Sequence, residues 1–389
     1  MRVIHVISSL APALGGPSKA CIEMARAVAA RGHTVEVYTT DFGLEGRVRA
    51  DGAPVTDGGA SVRYFPVQRP RALKPSWPLY TALARDLPRA DVVHLHSLYL
   101  FHDWAAGRIC RRAGVPYIVR PHGTLDPYIW RRHRARKQVM EWAFQNQVLR
   151  RAAAIHYTTE EEMRLAAPRA QGAPGIVVPL GVELDAYDPP PPDRFLARHP
   201  ETYGKRIVLF LSRLHEKKGL DILVASFGRI AQRFPDAHLV LAGPDDGMGA
   251  QVDEWLRKEG AADRATRTGM LEGEDKGAAL AAASVFVLPS YSENFGIAVL
   301  EAMAAGVPVA ISDRVNLWRE VERGGAGLVG PCDVDAFTGL LERLLGDPAA
   351  ARRMGQAGRA LAREKFTWPR IATALEALYE NVAARRAIR

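Results

Sequence analysis

Two glutamates, Glu293 and Glu301, lie eight positions apart around Asn294-Phe295-Gly296. An ionised carboxylate accepts paired hydrogen bonds from hydroxyl groups. A loop that opens a helix leaves backbone N–H groups unpaired at the positive end of the helix dipole, and these can hold an anion. One acid before such an anion site and one behind it suit a phosphorylated ligand with hydroxyl groups at both ends. The plain alternative is that Glu293 helps cap the helix and that Glu301 faces solvent or a buried partner.

Other residues have complementary chemistry. Arg213 and Lys218 sit just beyond an apolar run, where two fixed cations can bind a diphosphate and stabilise it as a leaving group. Gly15-Gly16 lets backbone N–H groups approach a phosphate closely, although it is neither a G-x-G-x-x-G fingerprint nor a Walker loop. Arg120-Pro121-His122-Gly123-Thr124-Leu125-Asp126 follows another apolar run, and the glycine there permits a tight turn that exposes His122. His94 and His96 share one face of a strand, and with His102 and Asp103 they invite a metal reading. Strand-end histidines near a cleft are the reading adopted, and no metal is assigned.

The elements that position these residues alternate strand and helix. Ser284–Leu288 reads as a buried parallel strand, Gly296–Ala305 as a helix and Val307–Ile311 as the next strand. Ligands of such βαβ units bind at the carboxyl ends of the strands. Arg2–Ser8, Thr34–Thr40, Ser61–Val67, Asp91–His96, Pro116–Arg120 and Gly175–Pro179 read as strands of a first sheet, with a helix over Ser18–Arg31. Residues 41–60 read as a surface loop. Thr159 begins a short helix with capping-box spacing. The proline run 189–192 lies just past a domain boundary. The alternation then restarts with strands Arg206–Ser212 and Ala237–Gly243 and a helix over Asp275–Ala283; helices over Ala349–Lys365 and from Thr367 to the end close the chain.

The run from Pro289 to Asp313 resembles the E-x7-E signature of the retaining, nucleotide-sugar-dependent glycosyltransferases of GT-B architecture, family four. Ser292, Phe295, Gly296, Glu301-Ala302-Met303-Ala304, Gly306 and Pro308-Val309 carry the likeness. The Gly15-Gly16 loop and the Arg213…Lys218-Gly219 element match two more features of that family in order. The resemblance implies an α/β fold of two doubly wound Rossmann-like domains facing a central cleft. Residues 1–185 would bind the acceptor, and residues 186–369 the donor, with a helix at about 370–389 packing back on the first domain. Arg213 and Lys218 would neutralise the departing diphosphate. Glu293 would hold donor-sugar hydroxyls, and Glu301 the ribose. Gly15, Gly16, Asn294, Phe295, Gly296 and the backbone near Leu271 would complete the donor site. His122 would sit in the acceptor or donor-sugar pocket as a catalytic residue beside Arg213, Lys218 and Glu293, and with Arg120 and Asp126 it would serve the acceptor. A UDP- or GDP-sugar would be the donor, with no metal and no cofactor required. The acceptor would be a saccharide or a polyprenyl-diphosphate-linked saccharide in cell-surface glycan synthesis.

The 389 residues, 48% hydrophobic and 24% charged, provide ample core for two soluble domains. Three cysteines far apart give neither a disulfide framework nor a metal knuckle and fit a reducing, cytoplasmic compartment. No signal-peptide pattern or membrane-length apolar run is evident. The net charge of +9 lies wholly in residues 1–185, which hold 25 Lys/Arg against 16 Asp/Glu. Five basic residues fall within 131–137, beside Tyr128 and Trp130 and followed by Trp142 and Phe144. This run suits peripheral contact with an anionic membrane, on the inner face of the cytoplasmic membrane. No RNA-module aromatic motif accompanies it, so nucleic acid is not expected. The alternatives are an epimerase or phosphorylase on the same fold, or a non-enzymatic anionic-surface module.

Overall fold

The structure, a computed structural model, describes residues 1–44, 46–132, 134–187 and 192–387. Prolines 189–191 and His133 of the basic run lie outside the described residues. The chain divides into two compact units, one of Met1–Gly181 with Trp368–Arg389 and one of Val182–Thr367. The first unit carries 29 Lys/Arg against 16 Asp/Glu and the second 23 against 27.

The first unit is built on eight strands: β1 (Arg2–Val6), β2 (Thr34–Thr40), β3 (Pro54–Asp57), β4 (Ala60–Phe65), β5 (Val92–His96), β6 (Tyr117–Arg120), β7 (Ala154–Tyr157) and β8 (Gly175–Val177). Their order is β3-β4-β2-β1-β5-β6-β7-β8, and only β3 is antiparallel to its neighbour. Strands such as β5, VVHLH, are buried along their whole length, as a sheet covered by helices on both faces requires. β3 corrects the surface loop expected over 41–60. Gly58 and Gly59 both take positive φ between the paired residues Asp57 and Ala60, so a two-residue turn folds the segment into a hairpin.

The second unit has six parallel strands: β9 (Arg206–Leu211), β10 (Ala237–Ala242), β11 (Ala265–Gly269), β12 (Ala283–Leu288), β13 (Val309–Ser312) and β14 (Gly327–Gly330). They are ordered β11-β10-β9-β12-β13-β14. β11 is half-exposed, and the apolar-run reading did not mark it as a strand.

Both sheets share a topological feature. The chain leaves β1 towards β2 and β4, then crosses to place β5 on the other side; it leaves β9 towards β10 and β11, then crosses to β12. Such switch points leave a crevice outside the carboxyl ends of the central strands. The helix Trp368–Ala387 belongs to the first unit and packs against the helix Gly16–Ala29 and β5. Among the described residues no helix is long and apolar enough to cross a membrane.

Candidate active site

At the β9/β12 switch, two loops are pressed together. The loop after β9 closes in a turn over Glu216–Lys218, where His215 Nδ1 accepts from the Lys217 N–H at 3.1 Å. Gly219 follows at φ 66°, and a Cβ on it would stand 2.1 Å from the Pro289 carbonyl oxygen. Only glycine allows that approach. The Tyr291 N–H donates to the Lys217 oxygen at 2.9 Å across the same seam. The Glu293 N–H donates to the Arg314 oxygen, and its carbonyl accepts from the Asn316 N–H, both at 3.0 Å.

This framework delivers the Lys218 ammonium onto the Glu293 carboxylate as an ion pair. Lys218 is only 7% exposed. Burial pushes the Glu293 carboxyl up, but Lys218, Lys217 and Arg213 together outweigh burial and hold it below the usual carboxylate range. Arg213 is half-exposed and pairs with Asp246 at 2.5 Å. Gly296, at φ 87°, starts the helix Ile297–Ala304 with no side-chain cap; the Val299 N–H closes onto the Gly296 oxygen at 2.9 Å, and the Ile297 and Ala298 N–H groups ahead of it lie at the positive end of the helix. Beside them, the buried Asn294 Oδ1 and Ser290 Oγ have no hydrogen-bond partner among the described residues.

Glu301 is buried, not solvated, and takes a hydrogen bond from Lys276 Nζ at 2.7 Å. Sequence reasoning had left its partner unnamed. A buried acid on an apolar helix demands a cation, and Lys276 is the one basic residue in the helix Gly273–Ala282. The Phe295 ring is 2% exposed and packs on Phe366, so its side chain anchors the loop and leaves only its backbone for a ligand. Leu271 is half-buried in the link between β11 and the helix Gly273–Ala282.

At the β1/β5 switch, Gly15 takes φ 81° and caps the start of the helix Gly16–Ala29 without a side-chain bond. His122, at φ 52°, is half-buried rather than exposed, because its ring turns inward and its Nε2 meets His96 Nδ1 at 3.0 Å. Arg120 is 1% exposed and lies against Met24 in the core, which removes it from the acceptor-contacting set. The Asp126 carboxylate accepts from the Tyr128 and Ile129 N–H groups and caps the helix Pro127–Arg131, so its oxygen is committed to the backbone. The Asp103 carboxylate likewise accepts from Tyr99 and Leu100 N–H, and burial raises it to about 7. His102 Nε2 donates to the His96 carbonyl oxygen at 2.6 Å. Neither side chain therefore joins His94 and His96 in a ligand set.

What those two histidines join was not anticipated. His5 on β1 and His156 on β7 share their face of the sheet. Val178 O can only accept, so His156 Nε2 donates to it at 2.8 Å, leaving His156 Nδ1 to accept from His94 Nε2 at 3.3 Å. His94 Nδ1 then accepts from the Tyr379 hydroxyl at 2.9 Å. A second chain runs from His122 through His96 to His5 Nδ1, the last link at 2.9 Å. Burial, reinforced by the Arg120 cation, lowers His5 and His156 to about 3 and holds His94, His96 and His122 well below the ordinary imidazole value. Arg120 Nε and Nη2 and His5 Nε2 are buried without partners among the described residues. His5, Cys21 and His96 place ligand atoms within 4.8 Å of one another. The positive charge of Arg120 acts on both His5 and Cys21 and opposes a metal cation there. Histidines at alternate positions of β5, with one each on β1 and β7, were the sequence signal for this cluster.

At the same switch, the loops after β1, β4, β5 and β6 line a half-open cavity of about 390 Å³.

Comparison with known proteins agrees with both units. A family model described as "Glycosyl transferases group 1" matches residues 193–361, and one described as "Glycosyl transferase 4-like domain" matches residues 15–181. Alpha-maltose-1-phosphate synthase of Mycolicibacterium smegmatis is 30% identical over 324 residues, 78% of this chain and 82% of that protein. GDP-mannose:cellobiosyl-diphosphopolyprenol alpha-mannosyltransferase of Xanthomonas oryzae is 27% identical over 85% of this chain and 83% of its own. Glycogen synthase of Mycobacterium tuberculosis is 35% identical over 197 residues, 49% of this chain and 46% of that protein. The chain thus spans about half the length of that relative. Among solved structures, sucrose-phosphate synthase from Thermosynechococcus elongatus superimposes with a TM-score of 0.77 at 22% identity, covering 99% of this chain and 100% of the other. That likeness shows the fold, which is the GT-B fold.

Proposed function

The chain belongs to the group 1 glycosyl transferases, and we propose on that premise that it moves a hexosyl unit, with retention, from a UDP- or GDP-sugar to a saccharide or a polyprenyl-diphosphate-linked saccharide. The observation that carries this reading is the Lys218–Glu293 pair beside the uncapped helix start at Gly296. Lys218 and Arg213 neutralise the departing diphosphate, and the helix N–H groups hold the phosphate nearest the sugar. Glu293, kept ionised by its cations, has a second carboxylate oxygen to accept from donor-sugar hydroxyls. Glu301 accepts from the ribose, held in place by Lys276. The leaving phosphate takes the acceptor proton on the same face, so no carboxylate nucleophile is needed, nor any cofactor or metal.

The test is donor turnover. Lys218→Ala should lower kcat by roughly 10²–10³-fold, as expected for one lost transition-state charge contact. Wild-type turnover in that variant, measured on whichever nucleotide sugar stabilises the protein in a thermal-shift screen, would overturn the assignment.

We also propose peripheral membrane contact, in line with glycan synthesis at the inner face of the cytoplasmic membrane. Trp142 is 85% and Val139 64% exposed, near the exposed Arg131, Arg132 and Arg134. Aromatic and aliphatic groups beside arginines suit an anionic headgroup layer. Co-sedimentation with phosphatidylglycerol vesicles should drop in Trp142→Ser; equal binding by wild type and variant would remove this reading.

A further inference from the structure

The cavity at the β1/β5 switch has an asymmetric lining. Lys74, Arg136 and Lys137 contribute to its wall, and no acid lines it among the described residues. Lys74 is partly buried, its Nζ lying 4.2 Å from the centre of the Phe42 ring and 3.5 Å from Ser8 Oγ. Burial lowers its ammonium, and no carboxylate offsets that cost. Lys137 Nζ donates to the Ile129 oxygen at 2.6 Å and Arg136 Nη2 to the Ala72 oxygen at 3.0 Å, so both cations are fixed by backbone and keep further donors free. The only acid acting on Lys137 is Glu141, whose Oε1 already accepts from Tyr99 OH and Trp130 Nε1. The rest of the wall includes Ser8, Ser9, Ser18, Ser97 and Thr124, of which the Ser9, Ser18 and Thr124 hydroxyls donate to backbone oxygens.

A second observation marks the place. Five non-glycine residues among those described take positive φ, and three of them, Lys74, Ser97 and Tyr99, line this cavity. Backbone held in that region costs free energy and gathers where function fixes the geometry.

We propose that this cavity binds a phosphate-bearing saccharide, with Lys74, Arg136 and Lys137 on the phosphate and the Ser8 and Ser97 hydroxyls on the sugar. Only the ligand's role as acceptor rests on the glycosyl-transfer reading; the phosphate site stands on its own residues. The basic run after Tyr128 therefore divides, with Arg131, Arg132 and Arg134 facing outward and Arg136 and Lys137 lining a site.

Titration calorimetry of the full chain with glucose 1-phosphate tests this, with glucose as the uncharged control and farnesyl diphosphate as a second arm. Glucose should bind at least about tenfold more weakly than glucose 1-phosphate, as for loss of a charge-assisted contact. Lys74→Gln and the surface variant Arg136→Gln should each weaken glucose 1-phosphate by about tenfold. Arg112→Gln, on an exposed helix face, should leave it unchanged. Displacement of glucose 1-phosphate by farnesyl diphosphate supports a lipid-linked source, and binding of the sugar phosphate alone supports a soluble one. Unchanged affinity in both Lys74→Gln and Arg136→Gln, or equal weakening by Arg112→Gln, overturns the site. A thermal-shift screen with UDP and GDP separates the two readings. Nucleotide binding with no dependence of glucose 1-phosphate on Lys74 sinks the phosphate site alone. Lys74-dependent binding with no nucleotide response sinks the transfer reading alone.

Discussion

At the β9/β12 switch each functional cation has an acid: Lys218 has Glu293, Lys276 has Glu301 and Arg213 has Asp246. At the β1/β5 switch five histidines gather round the buried Arg120, on which the buried Glu162 acts, and no acid lines the cavity among the described residues. The strands flanking each switch follow the same order, so topology there does not explain the difference. The second unit stores its charges as preformed pairs, which keeps carboxylates ionised while they await hydroxyl groups. The first unit suppresses charge on its imidazoles and lines its cavity with cations and no acid, which suits an incoming anion.

Acidification should separate the two units most. The fold keeps His5 and His156 neutral down to about pH 3, whereas an unfolded imidazole protonates near 6.5. Between those values the unfolded chain binds more protons, so stability is full above about pH 6.5 and falls as pH drops below it. Each buried histidine contributes a slope of up to about 1.4 kcal/mol per pH unit. Glu293 is depressed instead: its contribution is present above the unfolded carboxylate value of 4.5 and is lost as pH falls through its lower folded value. Urea midpoints at pH 7, 6 and 5 should therefore fall steeply, with the first unit melting first. A flat profile across that range would contradict neutral buried histidines.

Breaking a pair in the second unit should come next. Lys276→Met takes the cation away from the buried Glu301 carboxylate, at a cost of about 3–5 kcal/mol. Lys276→Met with Glu301→Leu should recover much of that loss, since two apolar side chains leave no unpaired charge. If the double variant is no more stable than the single one by denaturant unfolding, the pair is not what Glu301 requires.

Gly219→Ala probes the seam that the pairs depend on. The added Cβ would meet the Pro289 oxygen at 2.1 Å, in a left-handed backbone conformation that alanine disfavours. The loops should part, and donor turnover should fall further than stability. Unaltered kcat would show that the Lys218–Glu293 pairing tolerates a displaced loop.

Much of this was legible in the chain. Apolar runs located both sheets, because parallel strands are buried on both faces and read as continuous hydrophobic segments. Arg213, Lys218 and Glu293 were found because charge at the end of such a run has nowhere to go but the crevice. Three things escaped. Lys276 was missed because the partner of a buried acid can lie anywhere in the fold. The ring contacts of His5 with His94 and His96 depend on β1 and β5 being neighbours, although the two strands are far apart in sequence. Arg120 and Asp126 were placed at the mouth from their positions after a strand, whereas burial turns the first inward and helix capping occupies the second.

The smallest effect is expected where the terminal helix meets the histidines. Tyr379 is fully buried, and its hydroxyl donates to His94 Nδ1, which starts the chain ending at Val178 O. Tyr379→Phe keeps the ring contacts and removes only the donor, leaving His94 Nδ1 an unpaired buried acceptor. The loss should be about 1–2 kcal/mol at neutral pH. The same change removes the hydrogen bond at His94 Nδ1 at one end of the chain, so the ¹⁵N shifts of His94 and His156 should move together while those of His122 and His96 stay put. Movement of all five would mean that the two histidine chains are one network, coupled through the ring contact of His5 with His94.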